Sequence, residues 1–173
     1  LNRKQIGSLR NRMAILRMIV TPRASGPRMR SSLIRLLSIY PPSPEYLDFL
    51  RDAEGIRSAL NMDTRPWPDH WIAQSGLDYL HVPVVDMSVP TEEQVLDALD
   101  FIDKGLIKGA VMIHCIAGIG RTGTMMGLYL VDNGMDPESA IHLIRDRRKG
   151  SIQTTAQEMM IHSWEKRIGG DLK

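Results

Sequence analysis

Residues 110–131 constrain the fold more than any other part of the chain. The segment begins with an apolar run, residues 110–113, that is typical of a short buried strand. A loop with three glycines follows, and the apolar run at 125–131 then predicts a buried helix. A strand, a glycine-containing loop and a helix N-terminus together build an anion site, because the loop amides converge where the helix dipole favours negative charge.

The predicted loop has a nucleophile at its start and a fixed cation at its end. Cys115, the only cysteine of the chain, follows the predicted strand, and Arg121 stands six positions later. A thiol beside converging amides, a helix N-terminus and an arginine is expected to react as a thiolate. Arg121 can offer two parallel N–H groups to a tetrahedral oxyanion. A buried structural cysteine beside a helix-capping arginine is the alternative interpretation, and the three glycines argue against it.

Residues 114–123, called the signature loop below, resemble the signature of the cysteine-based protein tyrosine phosphatases. The ending Gly-Ile-Gly-Arg-Thr-Gly-Thr is similar to that of the small dual-specificity phosphatases. The resemblance extends over roughly residues 40–168. It implies an α/β fold in which a central, mostly parallel sheet of four to five strands is flanked by helices. It also implies hydrolysis of phosphomonoesters through a phosphocysteine intermediate, with no metal and no other cofactor.

The resemblance assigns roles to residues of the signature loop. Thr122 is expected to hydrogen-bond the sulfur, and His114 to orient Cys115 rather than to transfer a proton itself. Phosphate is expected to bind to the loop amides and to the arginine fork, which makes the phosphate-binding set Ile116, Ala117, Gly118, Ile119, Gly120 and Arg121.

Two aspartates compete for the role of general acid. Asp86 follows the predicted strand 77–85 and precedes a helix that Thr91 and Gln94 open with a capping box. Strand, acid, short loop and helix is the arrangement that the resemblance implies for the general acid, so Asp86 is the predicted donor. Asp69 lies in Trp-Pro-Asp, the letters that mark the acid in tyrosine-specific phosphatases, but no clear strand leads into it. A turn-forming aspartate is the alternative for Asp86.

Two glutamines and a basic stretch follow the signature loop. Gln153 and Gln157 match the segment that ends the core of many small dual-specificity phosphatases, and the resemblance implies that they place the hydrolytic water. Many relatives have a glutamate where Gln153 stands, and surface glutamines of a capped helix are the alternative. The basic stretch 145–149 is interpreted as helix-dipole complementation and solvated surface, with contact to an acidic substrate as the second interpretation.

Hydrophobic periodicity predicts the remaining elements. We expect strands at 33–40 and 56–62, and helices at 44–53, 92–104, 137–148 and up to about residue 168. Gly105 is expected to end the helix that begins at residue 92. Ser43 is the predicted N-cap of the helix that opens with Pro44.

Composition bounds the class of protein. The chain has 173 residues, of which 43% are hydrophobic and 24% charged, so one domain with a substantial core is expected. A single cysteine excludes an internal disulfide and a zinc site of several cysteines, and it fits a reducing compartment. No apolar stretch approaches the ~20 residues that span a bilayer. We expect a cytoplasmic monomer.

Charge divides the chain unevenly. Residues 1–44 hold nine Lys or Arg and no Asp or Glu, whereas residues 45–173 have a net charge of −7. The predicted domains are a basic N-terminal extension at 1–32 and a catalytic domain at 33–173. Apolar residues at 6, 9, 13, 16 and 20 fall near helical spacing. The extension is interpreted as a packed or mobile arm, as a mitochondrial targeting segment, or as an electrostatic arm for nucleic acid, an anionic membrane or an acidic partner.

The variable positions of the signature loop bear on the substrate. Ile116, Ala117 and Ile119 are uncharged, whereas phosphoinositide phosphatases of this superfamily often carry lysines there. A phosphorylated protein is therefore the expected substrate, with phosphotyrosine preferred and some activity on phosphoserine or phosphothreonine. An RNA 5′-phosphatase and a phosphoinositide phosphatase are the alternatives. A catalytically dead phosphate-binding module would lack the nucleophile, the arginine or the acid, and none of these is missing.

Overall fold

The computed structural model describes residues 16–20, 32–37, 41 and 43–170. Within these residues, one five-stranded sheet is flanked by six helices. The strands are β1 (Leu16–Val20), β2 (Ser32–Leu37), β3 (Ile56–Asn61), β4 (Asp78–His81) and β5 (Ala110–His114). The helices are α1 (Pro44–Ala53), α2 (Asp69–Ser75), α3 (Glu92–Lys108), α4 (Gly120–Asp132), α5 (Pro137–Arg147) and α6 (Thr155–Gly170).

The sheet has the strand order β1-β2-β5-β3-β4, with β5 at its centre. Strands β2, β5, β3 and β4 run parallel to one another, and β1 pairs antiparallel with β2 at one edge. The expectation of a mostly parallel sheet of four to five strands flanked by helices is confirmed. Because parallel strands end at the same edge of a sheet, the residues that follow β3, β4 and β5 meet there.

The apolar run of β5 is buried on both faces, as is typical of a central parallel strand. On one face, Val111 and Ile113 pack in a core with residues of α3, α4, α5 and α6. On the other face, Met112 packs with Leu50 of α1 and with Trp67. Two apolar layers therefore hold the central strand, and with it the residues that follow its end.

Residues 16–20 correct the helical interpretation of the basic N-terminal segment. They form strand β1, in which Leu16 lies opposite Leu36 and Val20 opposite Ser32. Helical spacing of the apolar residues could not show that a sheet edge offers hydrogen-bond partners nearby. The other residues before position 32 lie outside the described part of the chain, and the domain boundary stays a prediction.

Several predicted helix boundaries are confirmed and one is wrong. Helix α1 begins at Pro44, although the Ser43 side chain makes no cap hydrogen bond. The capping box at the start of α3 is present, but this helix continues through Gly105. A Cβ at Gly105 would lie 2.7 Å from the Val111 side chain and 2.8 Å from that of Ser58. This glycine therefore permits close packing of α3 on the sheet rather than ending the helix.

Helix α2 begins at Asp69, in a segment where no helix was predicted. Its C-cap is Gly76, with a left-handed φ of 63°. In the described part of the chain, no helix has the length and apolar character needed to cross a bilayer.

Candidate active site

Strand β5 places Cys115 at the carboxyl edge of the sheet. The side chain is only 2% exposed, and the Gly118 amide donates a hydrogen bond to its sulfur over 3.1 Å. Gly118 has φ of 62°, a left-handed conformation that glycine adopts without steric cost. The loop backbone can therefore turn back and direct an N–H group at the sulfur.

Helix α4 begins within the signature loop, at Gly120. Its first turn lies against the segment before α6, because a Cβ on Gly123 would be 3.1 Å from the Ser151 Cβ and 3.2 Å from the Ile152 amide. The Ile152 amide also donates to the Ile119 carbonyl over 3.3 Å. The glycines of the signature loop therefore allow both the turn of the loop and the close packing of the segment before α6 against it.

Arg121 is buried, and main-chain carbonyls locate its guanidinium. Nη1 donates to the Val84 carbonyl over 2.8 Å and to the Met62 carbonyl over 3.3 Å. Nη2 lies 3.1 Å from Oδ1 of Asp86. Nε is buried and has no hydrogen-bond partner among the described residues. An unpaired buried N–H costs free energy, so an anion that accepts it would be stabilised there.

The two candidate acids lie in different places. Asp86 belongs to the acid loop (residues 82–91) between β4 and α3, and its side chain is 70% exposed although it pairs with Arg121. Asp69 is exposed at the first position of α2. The pair with Arg121 favours Asp86, as the sequence analysis did, and the role of general acid remains a prediction.

A buried carboxylate, Asp63, was missed by the sequence analysis. Its side chain is fully buried, with Oδ1 3.9 Å from Nη1 of Arg121. Oδ2 accepts hydrogen bonds from Nε and Nη2 of Arg65 over 3.3 and 3.2 Å. Two carboxylates, Asp63 and Asp86, therefore flank the same guanidinium. The available signal was position: Asp63 follows β3, a neighbour of the central strand, at the edge where polar groups collect.

His114 is a fully buried, neutral imidazole. Its ring stacks on Trp67 with centroids 5.4 Å apart, and Nδ1 lies 3.2 Å from the Cys115 carbonyl oxygen. Burial lowers the pKa of His114 to about 4. A ring that is uncharged near neutral pH and tied to the Cys115 backbone fits an orienting role rather than proton transfer.

Thr122 does not make the predicted hydrogen bond to the Cys115 sulfur in this structure. Its hydroxyl is buried, and among the described residues it has no hydrogen-bond partner, the Cys115 sulfur included. The Gly118 amide donates the hydrogen bond to the sulfur instead. The role of Thr122 toward the sulfur therefore stays a prediction.

The two glutamines differ in burial and in contacts. Gln157 is fully buried: its Oε1 accepts from the Gln153 amide over 2.8 Å, and its Nε2 donates to the Ser88 carbonyl over 3.1 Å. Gln153 is exposed, with its side chain next to Gly120. Both approach the signature loop as expected, but Gln157 also reaches the acid loop, which the sequence did not indicate.

Two arginines of the basic stretch brace loops rather than face solvent alone. Arg145 donates to the Ser151 and Ile152 carbonyls over 3.1 and 2.8 Å, and it pairs with Glu158. Nη2 of Arg148 donates to the Ala117 carbonyl of the signature loop over 2.7 Å. Burial lowers the pKa of Arg148, and the charge of the neighbouring cysteine acts in the opposite direction. This stretch therefore contacts the signature loop through Arg148, while contact with an acidic substrate stays a prediction.

The arrangement matches a known family of phosphatases. Residues 39–135, more than half of the chain, match the family model described as polymorphic toxin system, DSP-PTPase phosphatase. The chain belongs to the DSP-PTPase phosphatase family. The matched segment of this DSP-PTPase contains Cys115, Arg121, Asp86 and the buried Asp63.

Curated relatives of this DSP-PTPase include two eukaryotic phosphatases. Dual specificity protein phosphatase CDC14B of Mus musculus is 32% identical over 139 residues, which are 79% of this chain and 27% of the mouse protein. Probable protein tyrosine phosphatase type IVA B of Dictyostelium discoideum is 43% identical over 54 residues, 31% of this chain and 33% of that protein. The chain thus spans a third or less of the length of these two relatives.

Solved structures resemble the DSP-PTPase over most of its length. A mutant form of Tk-PTP has 27% identity and a TM-score of 0.68, with 79% of this chain and 91% of that chain covered. PTPMT1 in complex with PI(5)P has 22% identity and a TM-score of 0.71, with 81% and 94% covered. The second likeness concerns the fold alone.

Proposed function

We propose that this protein is a phosphatase that hydrolyses phosphomonoesters of phosphoproteins, phosphotyrosine first and phosphoserine or phosphothreonine more slowly. One observation carries the proposal. The Cys115 sulfur accepts a hydrogen bond from an amide of the signature loop, and in the same loop the buried Nε–H of Arg121 has no hydrogen-bond partner among the described residues. A phosphoryl group bound there would meet the nucleophile, main-chain donors and a permanent cation together.

The first step transfers the phosphoryl group to sulfur. Three phosphoryl oxygens bind to the amides of the signature loop and to Nε and Nη2 of Arg121, in place of the contact between Arg121 and Asp86. The Cys115 thiolate attacks phosphorus, an S–P bond forms, and the bond to the leaving oxygen breaks. Asp86 gives a proton to that oxygen, which departs as an alcohol or phenol.

The second step restores the enzyme. Asp86 takes a proton from a water, which attacks phosphorus as the S–P bond breaks. Inorganic phosphate leaves, and Cys115 is again a thiolate. In this proposal Thr122 hydrogen-bonds the departing sulfur, and His114 holds the Cys115 backbone throughout, supported by its contact with the Cys115 carbonyl oxygen.

The surroundings of the site support a protein substrate. The side chains of Ile116, Val85 and Met87, in the signature loop and the acid loop, are apolar and exposed. Apolar groups at these places favour an aromatic or peptide substrate over a heavily charged inositol ring. A phosphoinositide is the second candidate, and the contact of Arg148 with the Ala117 carbonyl favours it because this cation lies beside the loop.

Substrate comparison tests the proposal. The full chain is assayed on a phosphotyrosine peptide, a phosphothreonine peptide, a phosphoinositide and an RNA 5′-triphosphate, with Cys115→Ser as the blank. We expect the highest kcat/KM on the phosphotyrosine peptide. A higher kcat/KM on the phosphoinositide would transfer the function to the second candidate, and no hydrolysis of any substrate would overturn the proposal.

The same proposal includes a monomer and a cytoplasmic location. The single cysteine, which suits a reducing compartment, supports the location. It leaves the basic N-terminal segment as an arm for nucleic acid, an anionic membrane or an acidic partner. Deleting residues 1–15 should leave hydrolysis of a small aryl phosphate unchanged, because Asp86, Cys115 and Arg121 all lie far along the chain from this segment.

A further inference from the structure

The segment between α5 and α6, together with the first turn of α6, contacts both loops of the site. Toward the signature loop, the Ile152 amide donates to the Ile119 carbonyl over 3.3 Å. Toward the acid loop, Nε2 of Gln157, in the first turn of α6, donates to the Ser88 carbonyl over 3.1 Å. One short stretch of chain therefore bridges two loops that are far apart in sequence.

The amide of Gln157 is engaged on both of its polar atoms. Oε1 accepts from the Gln153 amide and Nε2 donates to the acid loop, while the side chain has no solvent exposure. A residue that places a water needs a polar group directed at that water. The side-chain N–H group of Gln157 is instead directed at the carbonyl of Ser88, two residues after Asp86.

The acid loop has a feature that calls for such support. Met87 has a φ of 63°, a left-handed conformation that a side chain with a Cβ adopts at a free-energy cost. The Ser88 carbonyl accepts a hydrogen bond from Gln157. A second contact joins Thr154 Oγ1 to the Met87 carbonyl oxygen over 3.4 Å. Contacts from the start of α6 thus coincide with the strained residue next to Asp86.

The same amide also lies against the signature loop. A Cβ on Gly120 would be 3.2 Å from Nε2 of Gln157 and 2.5 Å from Oε1 of Gln153. Glycine at this position lets the two glutamines approach the first turn of α4. The side chain of Gln157 therefore occupies the space between the nucleophile's loop and the acid's loop.

We propose that Gln157 is a positioning residue that holds the acid loop against the signature loop, so that Asp86 stays next to the phosphate site and within reach of the leaving oxygen. The proposal rests on the proposed function, since it assigns to Gln157 the placement of the proton donor. It predicts that Gln157 matters where the leaving oxygen needs a proton, and little where it does not.

Leaving-group dependence tests this role. The variant Gln157→Glu keeps the size of the side chain and the acceptor for the Gln153 amide, but it replaces the donor to Ser88. Gln74→Glu, the same chemical change at an exposed position of α2, is the matched control. Two substrates are compared. The leaving group of p-nitrophenyl phosphate is a stable phenolate that needs no proton, whereas an alkyl phosphate needs a proton donor because an alkoxide is a poor leaving group.

For Gln157→Glu, kcat/KM on the alkyl phosphate should fall about tenfold or more, while kcat/KM on p-nitrophenyl phosphate should change less than about twofold. In an Asp86→Asn background the substitution should cause no additional selective loss, because no proton donor is left to position. Gln74→Glu should match the wild type on both substrates.

Two outcomes would overturn the assignment. An equal loss on both substrates would indicate a structural role, and a lower kcat with unchanged kcat/KM would assign Gln157 to the water of the second step. If the wild type hydrolyses neither phosphate, the proposed function itself fails, which is a distinct result. If Gln157→Glu does not fold, Gln157→Met keeps the side-chain length, removes both hydrogen bonds and carries the same expectation.

Discussion

Arg121 and Asp86 form an ion pair, with Nη2 of the arginine 3.1 Å from Oδ1 of the aspartate, although they belong to different loops. The arginine is buried and the carboxylate is mostly exposed. The guanidinium is therefore held by the core, and the acid loop lies over it on the solvent side. A phosphoryl group that binds to Arg121 would replace this contact and would lie next to Asp86.

Cys115→Ser should lower turnover of an aryl phosphate by about a thousandfold or more, because a serine hydroxyl at this place has no general base to activate it. Phosphate binding should persist, since the loop amides and Arg121 are unchanged. Steady-state assays measure the first effect, and isothermal titration with a phosphotyrosine peptide measures the second. Residual turnover close to the wild type would show that another nucleophile operates.

Asp86→Asn should reduce kcat on a phosphotyrosine peptide by about a hundredfold or more, the usual contribution of a general acid. Asp69→Asn is the matched control and should change kcat by less than about twofold, because Asp69 is exposed at the start of α2. Both rates are compared under the same conditions. Equal losses in the two variants would withdraw the assignment of Asp86.

Asp63→Asn should lower kcat/KM by about tenfold, because it removes a buried negative charge next to Arg121. Arg65→Lys is the control: it keeps a cation beside Asp63 and leaves the Asp63 carboxylate in place. Rates and thermal unfolding are measured together. If Arg65→Lys lost as much activity as Asp63→Asn, the effect would pass through Arg65 rather than through Arg121.

His114 should make the fold sensitive to acid. Its pKa is about 4 in the folded protein and about 6.5 in the unfolded chain, so between these values the unfolded state binds the extra proton. The free energy of unfolding should therefore fall as the pH drops below about 6.5, by on the order of 3 kcal/mol at pH 4 from this residue alone.

Urea unfolding at pH 7, 5.5 and 4 measures this dependence, with His114→Asn as the comparison. The variant should lose stability at pH 7 through lost packing on Trp67, but its stability should depend less on pH in this range. A slope as steep in His114→Asn as in the wild type would place the acid sensitivity in other groups.

The contiguous part of the site was predictable from sequence, and the part assembled by packing was not. Cys115 and Arg121 lie in one glycine-containing loop between a strand and a helix, and this local pattern indicated an anion site. Asp86 was selected as the predicted acid because a predicted strand at 77–85 led into it, although β4 ends at His81. Asp63 and the bond from Gln157 to Ser88 depend on contacts between distant segments, which spacing along the chain does not reveal.

The same limit explains the errors in the fold. Gly105 stands inside α3 because the sheet lies against it, and the pattern that suggested a helix end carries no information on that neighbour. Strand β1 forms because β2 offers its edge, whereas local apolar spacing favoured a helix. Local patterns predicted these segments as if they were isolated, and tertiary packing decided otherwise.

Detection of the phosphocysteine tests the central claim most directly. Asp86→Asn is mixed with p-nitrophenyl phosphate, whose leaving group needs no acid, quenched in acid, digested and analysed by mass spectrometry. The slowed second step should leave one phosphoryl group on the peptide that contains Cys115, and on no other peptide. Turnover by the wild type together with an unmodified Cys115 under these conditions would contradict the account.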